Sequence, residues 1–181
     1  TGTYSGVTKI TIPADNSVID CNGATLNGAG SGEAITVIGK NNIIKNCNIN
    51  GYRDGIYFAF ATYATNNTVS GSTFSNNTNG IELSTWANGN SIINNNFLNN
   101  KDYAIYVYQA DGTVVNDNTF SGNKVEINYV PSNKVGTNTL TDVCKTPATN
   151  LAYYAMHSGV PFCTGTYSGV TKITIPADNS V

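Results

Sequence analysis

Few residues in this 181-residue chain can carry acid–base chemistry. It holds eleven acids, nine lysine or arginine side chains and one histidine, His157. The one arginine, Arg53, stands directly before Asp54. Carboxylates do such work in clusters, by holding Ca²⁺ beside a basic arginine or by acting as an acid and base pair, and a single carboxylate is not a cluster. Glu82 is the other acid with informative neighbours, because the repeat described below sets Tyr57, Tyr106 and Asn128 in its row and no second acid. The pattern therefore predicts no catalytic residue. Tyr57, Tyr63, Trp86, Tyr106 and Tyr108 fall close together in the same alignment and form a candidate aromatic patch, of the kind that anchors subunits or stacks on sugars.

Two further chemistries are readable. Four cysteines, Cys21, Cys47, Cys144 and Cys163, suit two disulfides in an oxidising compartment. The expected pairs are Cys144 with Cys163 and, less directly, Cys21 with Cys47. No Cys-x-x-Cys pair occurs and His157 is alone, so a zinc site is not expected. "NNT" at Asn66 and again at Asn76 fits the Asn-x-Thr acceptor pattern for glycans on a secreted protein.

Composition bounds the rest. Charged residues make up 11% and the net charge is −2, which gives no footprint for nucleic acid. Polarity comes instead from 28 asparagines and from hydroxyls. No apolar run is long enough for a membrane span, and the N-terminus lacks signal-peptide features, as expected of a processed extracellular or cell-surface product without a cofactor.

The elements that must position these side chains come from a repeat. Segments starting at Asn41, Asn66, Gly89 and Gly112 align at spacings of 25, 23 and 23 residues. Four apolar columns run through them: Ile44, Val69, Ile92, Val115; then Ile49, Phe74, Phe97, Phe120; then Ile56, Ile81, Ile105, Ile127; then Phe58, Leu83, Val107, Tyr129. A degenerate copy precedes them at Cys21, Leu26, Ile35 and Val37, and a partial one follows at Val135 and Leu140. A period near 23 with alternation at two residues and no helical pattern predicts one solenoid coil per repeat, with strands pairing to the coils above and below.

On these residues the sequence resembles the right-handed parallel β-helix, pectate-lyase-like superfamily with Asn-rich repeats. The resemblance implies an all-β solenoid of about six coils over residues 1–140. It also implies that any activity on acidic polysaccharides would need clustered carboxylates on one outer face, and the aligned positions beside Arg53 and Asp54 carry only Thr78, Asn79, Asp102 and Tyr103. Asparagine has its own reason to recur: it satisfies backbone groups at sharp turns, tolerates left-handed backbone, and can ladder along the axis.

Residues 141–163 break the pattern and are read as an irregular, disulfide-bounded cap or connector. Residues 164–181 then repeat residues 1–18 without a change. In "GVTKITIP", Val7, Ile10 and Ile12 read as an opening strand, so Val170, Ile173 and Ile175 should open a following module or complete a neighbour by donor-strand exchange. The expected function is a structural, extracellular, self-assembling β-helix whose partner is itself. The rival is a carbohydrate-binding or polysaccharide-cleaving β-helix.

Overall fold

In a computed structural model of the chain, residues 2–5, 9–60, 63–128, 133–136 and 138–140 are described. Strand β1 (Thr3–Ser5) is followed by six triplets, one per coil. These are β2, β3 and β4 (Ile10–Ile12, Val18–Asp20, Thr25–Asn27); β5, β6 and β7 (Glu33–Val37, Ile43–Lys45, Asn48–Asn50); and β8, β9 and β10 (Asp54–Phe58, Thr68–Ser70, Thr73–Ser75). The series continues with β11, β12 and β13 (Asn79–Leu83, Ser91–Ile93, Asn96–Leu98) and β14, β15 and β16 (Tyr103–Val107, Val114–Asn116, Thr119–Ser121). It ends with β17, β18 and β19 (Val125–Asn128, Lys134–Val135, Thr139–Leu140). Every third strand joins the same parallel sheet. Sheet A runs β1-β4-β7-β10-β13-β16-β19, sheet B runs β2-β5-β8-β11-β14-β17, and sheet C runs β3-β6-β9-β12-β15-β18. Among the described residues no helix is long and apolar enough to cross a membrane.

The register follows the apolar columns. Ile44, Val69, Ile92 and Val115 pair across sheet C, Ile49, Phe74, Phe97 and Phe120 across sheet A, and Ile56, Ile81, Ile105 and Ile127 across sheet B. These side chains are fully or nearly fully buried. Phe74, Phe97 and Phe120 stack with ring centroids 5.0 and 5.1 Å apart. One position is corrected: Ile19, not Cys21, pairs with Ile44. The first coil takes a longer turn, Cys21 to Ala24, where later coils spend two residues, so counting from the next repeat shifts the column. Tyr129 lies outside the described residues.

The corners explain the asparagines. Between sheets C and A stand the pairs Asn46-Cys47, Gly71-Ser72, Asn94-Asn95 and Asp117-Asn118, and the first residue of each pair has φ between 55° and 58°. Asparagine and aspartate take this left-handed conformation at less cost than other side chains. The second residue turns inward and is buried. Its amide bonds along the axis: Asn95 N–H and Nδ2 donate to Asn118 Oδ1 at 2.9 and 3.1 Å, and Asn95 Nδ2 also donates to the Val69 carbonyl at 2.9 Å. A second ladder runs through Asn77, Asn100 and Asn123, and a third through Asn42, Asn67 and Asn90. "Asn-Asn" is thus a two-part unit, with one amide bending the chain and the next closing the buried turn.

Candidate functional site

The outer face of sheet B gathers charge and aromatic rings. Its strands open on Glu33, Asp54, Asn79 and Tyr103, paired in one row, while Thr36, Tyr57, Glu82 and Tyr106 form the row three residues on. Between the two rows the chain narrows. At Gly55 and Gly80 a side chain would collide with the carbonyl of the next coil, at 2.4 and 2.5 Å, and with the Phe74 or Phe97 ring at 2.8 Å. Only glycine lets the strand start press this closely on the phenylalanine stack.

This packing brings together acids that the sequence alignment keeps apart. Asn79 Nδ2 donates to Asp54 Oδ1 at 2.9 Å and to Glu82 Oε2 at 3.2 Å, so one amide bridges two carboxyls. Arg53 Nε donates to Asp54 Oδ2 at 2.8 Å, and its Nη2 reaches Glu33 Oε1. Lys9 Nζ lies 3.3 Å from Glu33 Oε2. The expectation that Glu82 has no second acid beside it is therefore corrected. Strand register places Asp54 opposite Asn79, and the long Glu82 side chain folds back across that pair. Glu33 was hidden behind the loop "NGAGSGE", which lengthens the first repeat.

Electrostatics divide the two acids. Burial, and next the Asp54 charge, push the Glu82 carboxyl up to about 7, against the smaller opposing pull of Arg53. Asp54 is fully buried yet held by the guanidinium and the Asn79 amide. Near neutral pH the raised Glu82 carboxyl can hold a proton beside the hydrogen-bonded Asp54, a geometry that acid–base chemistry could use. Burial, and then the Glu82 charge, raise the Tyr106 hydroxyl as well.

The aromatic patch resolves into two groups. Tyr106 stacks between Tyr103 and Tyr108 at 4.8 and 6.2 Å, along the rim of the acid pair. On the loops from sheet B to sheet C, Trp86 stacks with Tyr63 at 5.5 Å and with Phe60 at 6.1 Å, and all three rings are exposed. Phe60 was missed because it sits in an insertion between columns. Tyr57 connects the groups, its hydroxyl accepting from the Phe60 N–H at 3.3 Å. Tyr63 and Trp86 have φ of 53° and 70°. Bulky residues in this region carry strain of order 1–3 kcal/mol, held here so that large rings face water.

The remaining expected positions fall as follows. Cys21 and Cys47 form a disulfide. Asn66 and Asn76 occupy exposed left-handed corners, and the Asn76 Nδ2 donates to Asn50 Oδ1 at 2.8 Å. Ile12 is buried and Ile10 half-buried on β2, the outermost strand of sheet B. Val7, Cys144, Cys163, Val170, Ile173 and Ile175 lie outside the described residues, as do the segments 141–163 and 164–181.

The family model described as right-handed beta helix region matches residues 8–159, most of the chain. The chain belongs to the right-handed β-helix family. No curated protein and no solved structure matches it. Membership fixes how a β-helix such as this one builds its coils, and the outer-face chemistry is this chain's own.

Proposed function

We propose that the chain is a structural β-helix built for repetition, whose 163-residue modules join end to end into a filament, fibre or sheath at or outside the cell surface. One observation carries this reading. Strands of sheet B begin 21 to 25 residues apart, at Ile10, Glu33, Asp54, Asn79, Tyr103 and Val125. Ile173, the counterpart of Ile10 in the second copy, follows Val125 by 48 residues, or two more steps of the same size. The 163-residue period thus equals seven steps of this spacing, the arithmetic that successive copies need to continue one solenoid in register. Seven coils rise about 34 Å at the ~4.8 Å spacing of paired strands.

The end coil supports a partner of the same kind. Among the described residues β1, β2 and β3 are the terminal strands of their sheets, and Val18 is 58% exposed. Such edges pair readily with another chain. The Cys21–Cys47 bond and the exposed Asn-x-Thr positions at Asn66 and Asn76 fit an external location. Electron microscopy of a chain carrying two consecutive periods tests the proposal. Straight rods that lengthen by about 34 Å per period are expected; two compact bodies on a flexible link would overturn it.

A second reading rests on the Asp54–Asn79–Glu82 bridge and the aromatic strip beside it: a face directed at polysaccharide, with Glu82 as acid, Asp54 as base and Trp86 as a stacking platform. Release of new reducing ends from an oligosaccharide panel, abolished in Glu82→Gln, is the expected result. Neither cleavage nor binding across neutral and acidic glycans would remove it.

A further inference from the structure

The coils are not held to one another equally. Between the third and fourth coils, five buried bonds end on asparagine oxygens. Asn67 gives two to Asn90 at 2.8 and 3.1 Å, Ser72 N–H gives one to Asn95 at 3.0 Å, and Asn77 gives two to Asn100 at 3.2 and 3.3 Å. Between the fourth and fifth, Asn95 and Asn100 each give two more, to Asn118 and Asn123. Between the first and second coils, among the described residues, these inner positions supply one such bond, from Ser17 N–H to Asn42 Oδ1 at 2.7 Å, and the buried Asn42 Nδ2 has no partner. At the corner from sheet A to sheet B, the Tyr52 ring packs against Gly28 in place of an amide pair. At the corner from sheet C to sheet A stands Cys47, in the column that continues as Ser72, Asn95, Asn118 and Asn138.

The other side-chain bonds tying coil one to coil two are mostly exposed: Asn46 to Asp20, Asn41 to Asn16, and Lys40 N–H to Asp15. Water competes for such bonds, so each adds little. The first coil also has a thin core, with Ile12, Ala24 and Leu26 buried but Ile10, Ile19 and Cys21 only partly so.

We infer that the Cys21–Cys47 disulfide stands in for the sparse amide ladder at this step and that the first coil, Ile10–Asn27, with β1 paired to its β4, is a rung released from the second coil by thiol reductants. Reduction consumes two thiol equivalents. The sulfur–sulfur bond breaks, Cys21 and Cys47 each leave as a thiol, and the reductant becomes the disulfide. The coils above stay closed through their own ladders, while the freed rung bares the inner edges of β5, β6 and β7.

Hydrogen exchange on the full chain, with and without dithiothreitol, tests this. Reduction should speed exchange within residues 10–27 by about tenfold or more and leave residues 66–128 unchanged. Cys21→Ser should reproduce the effect without reductant, which separates it from any response of Cys144 and Cys163. Adding Cys47→Asn to Cys21→Ser should restore protection and make it insensitive to reductant, because an amide at that column can take the bonds that Asn95 takes. A first coil equally protected in the reduced chain and in Cys21→Ser would overturn the inference, and so would loss of protection across residues 66–128. A first coil left unprotected by Cys47→Asn would overturn the equivalence of sulfur and amide on which it rests.

Discussion

Sheets A and B have the same inner face and opposite outer ones. Inward, both present a continuous apolar column, Leu26, Ile49, Phe74, Phe97 and Phe120 in one and Ile35, Ile56, Ile81, Ile105 and Ile127 in the other. Outward, sheet A shows Thr25, Asn48, Thr73, Asn96 and Thr119 beside Asn27, Asn50, Ser75, Leu98 and Ser121, with no charge in either row. Three of those groups bond to one another: Asn50 Nδ2 donates to Asn27 Oδ1 and Ser75 Oγ to Asn50 Oδ1, both at 3.1 Å. Sheet B instead concentrates Glu33, Arg53, Asp54, Glu82 and a run of tyrosines. The fold dictates the inner columns and corners, and the outer rows are where the sequence can place chemistry without cost to the coil.

The largest test of that division lies on the inside. Phe97→Ala removes the middle ring of the stack and leaves a cavity between Phe74 and Phe120, so a loss of about 3–5 kcal/mol is expected in urea denaturation. Asn100→Ala is next. Its amide accepts from Asn77 and donates to the Phe74 carbonyl and to Asn123, and stranding those buried groups should cost about 2–3 kcal/mol by the same measurement. If Asn100→Ala proves as mild as a surface change, the ladders do not set the fold.

On the outer face of sheet B the expected effect is smaller and depends on pH. The Glu82 carboxyl titrates at about 7 in the folded chain, against about 4.3 in an unfolded one. The native state therefore holds an extra proton across that window, and stability falls as pH rises through it, levelling off above. Glu82→Gln should abolish the slope. Thermal unfolding should place the variant on the order of 1 kcal/mol above the parent at pH 8, discounted for the partial exposure of the side chain, and near parity at pH 4. Equal slopes in parent and variant would mean that burial and the Asp54 charge do not raise the Glu82 carboxyl. Smallest of all, Thr119→Ala on the outer row of sheet A should change stability by less than about 0.5 kcal/mol; a larger loss would show that this face, too, is built for something.

The same contrast explains what was legible in advance. Inner columns announce themselves because apolar side chains recur at fixed offsets, and the left-handed corners because asparagine, glycine and aspartate share one backbone requirement. The pairing of Asp54 with Glu82 leaves no such mark, since the two acids occupy different positions along strands of neighbouring coils and meet only because Glu82 folds back onto the Asn79 amide. The closest sequence signal was Asp54-Gly55 above Asn79-Gly80, a repeated polar-glycine start with a ring behind it. Phe60 had no signal, because insertions between sheets B and C have no register to align. Cys47 was legible as a ladder position, but the longer first turn misplaced its partner Cys21.

The stacked coils also give the molecule a particular response to force. Tension along the axis loads the rungs one at a time, like a zipper, and each rung that peels away frees 21 to 25 residues, a contour of about 70–90 Å at 3.3–3.6 Å per residue. Extension should therefore proceed in near-equal steps. The crosslink spanning 26 residues between Cys21 and Cys47 withholds one such step, so an oxidised rod is shorter at full extension by about one coil of chain and keeps that length in reserve.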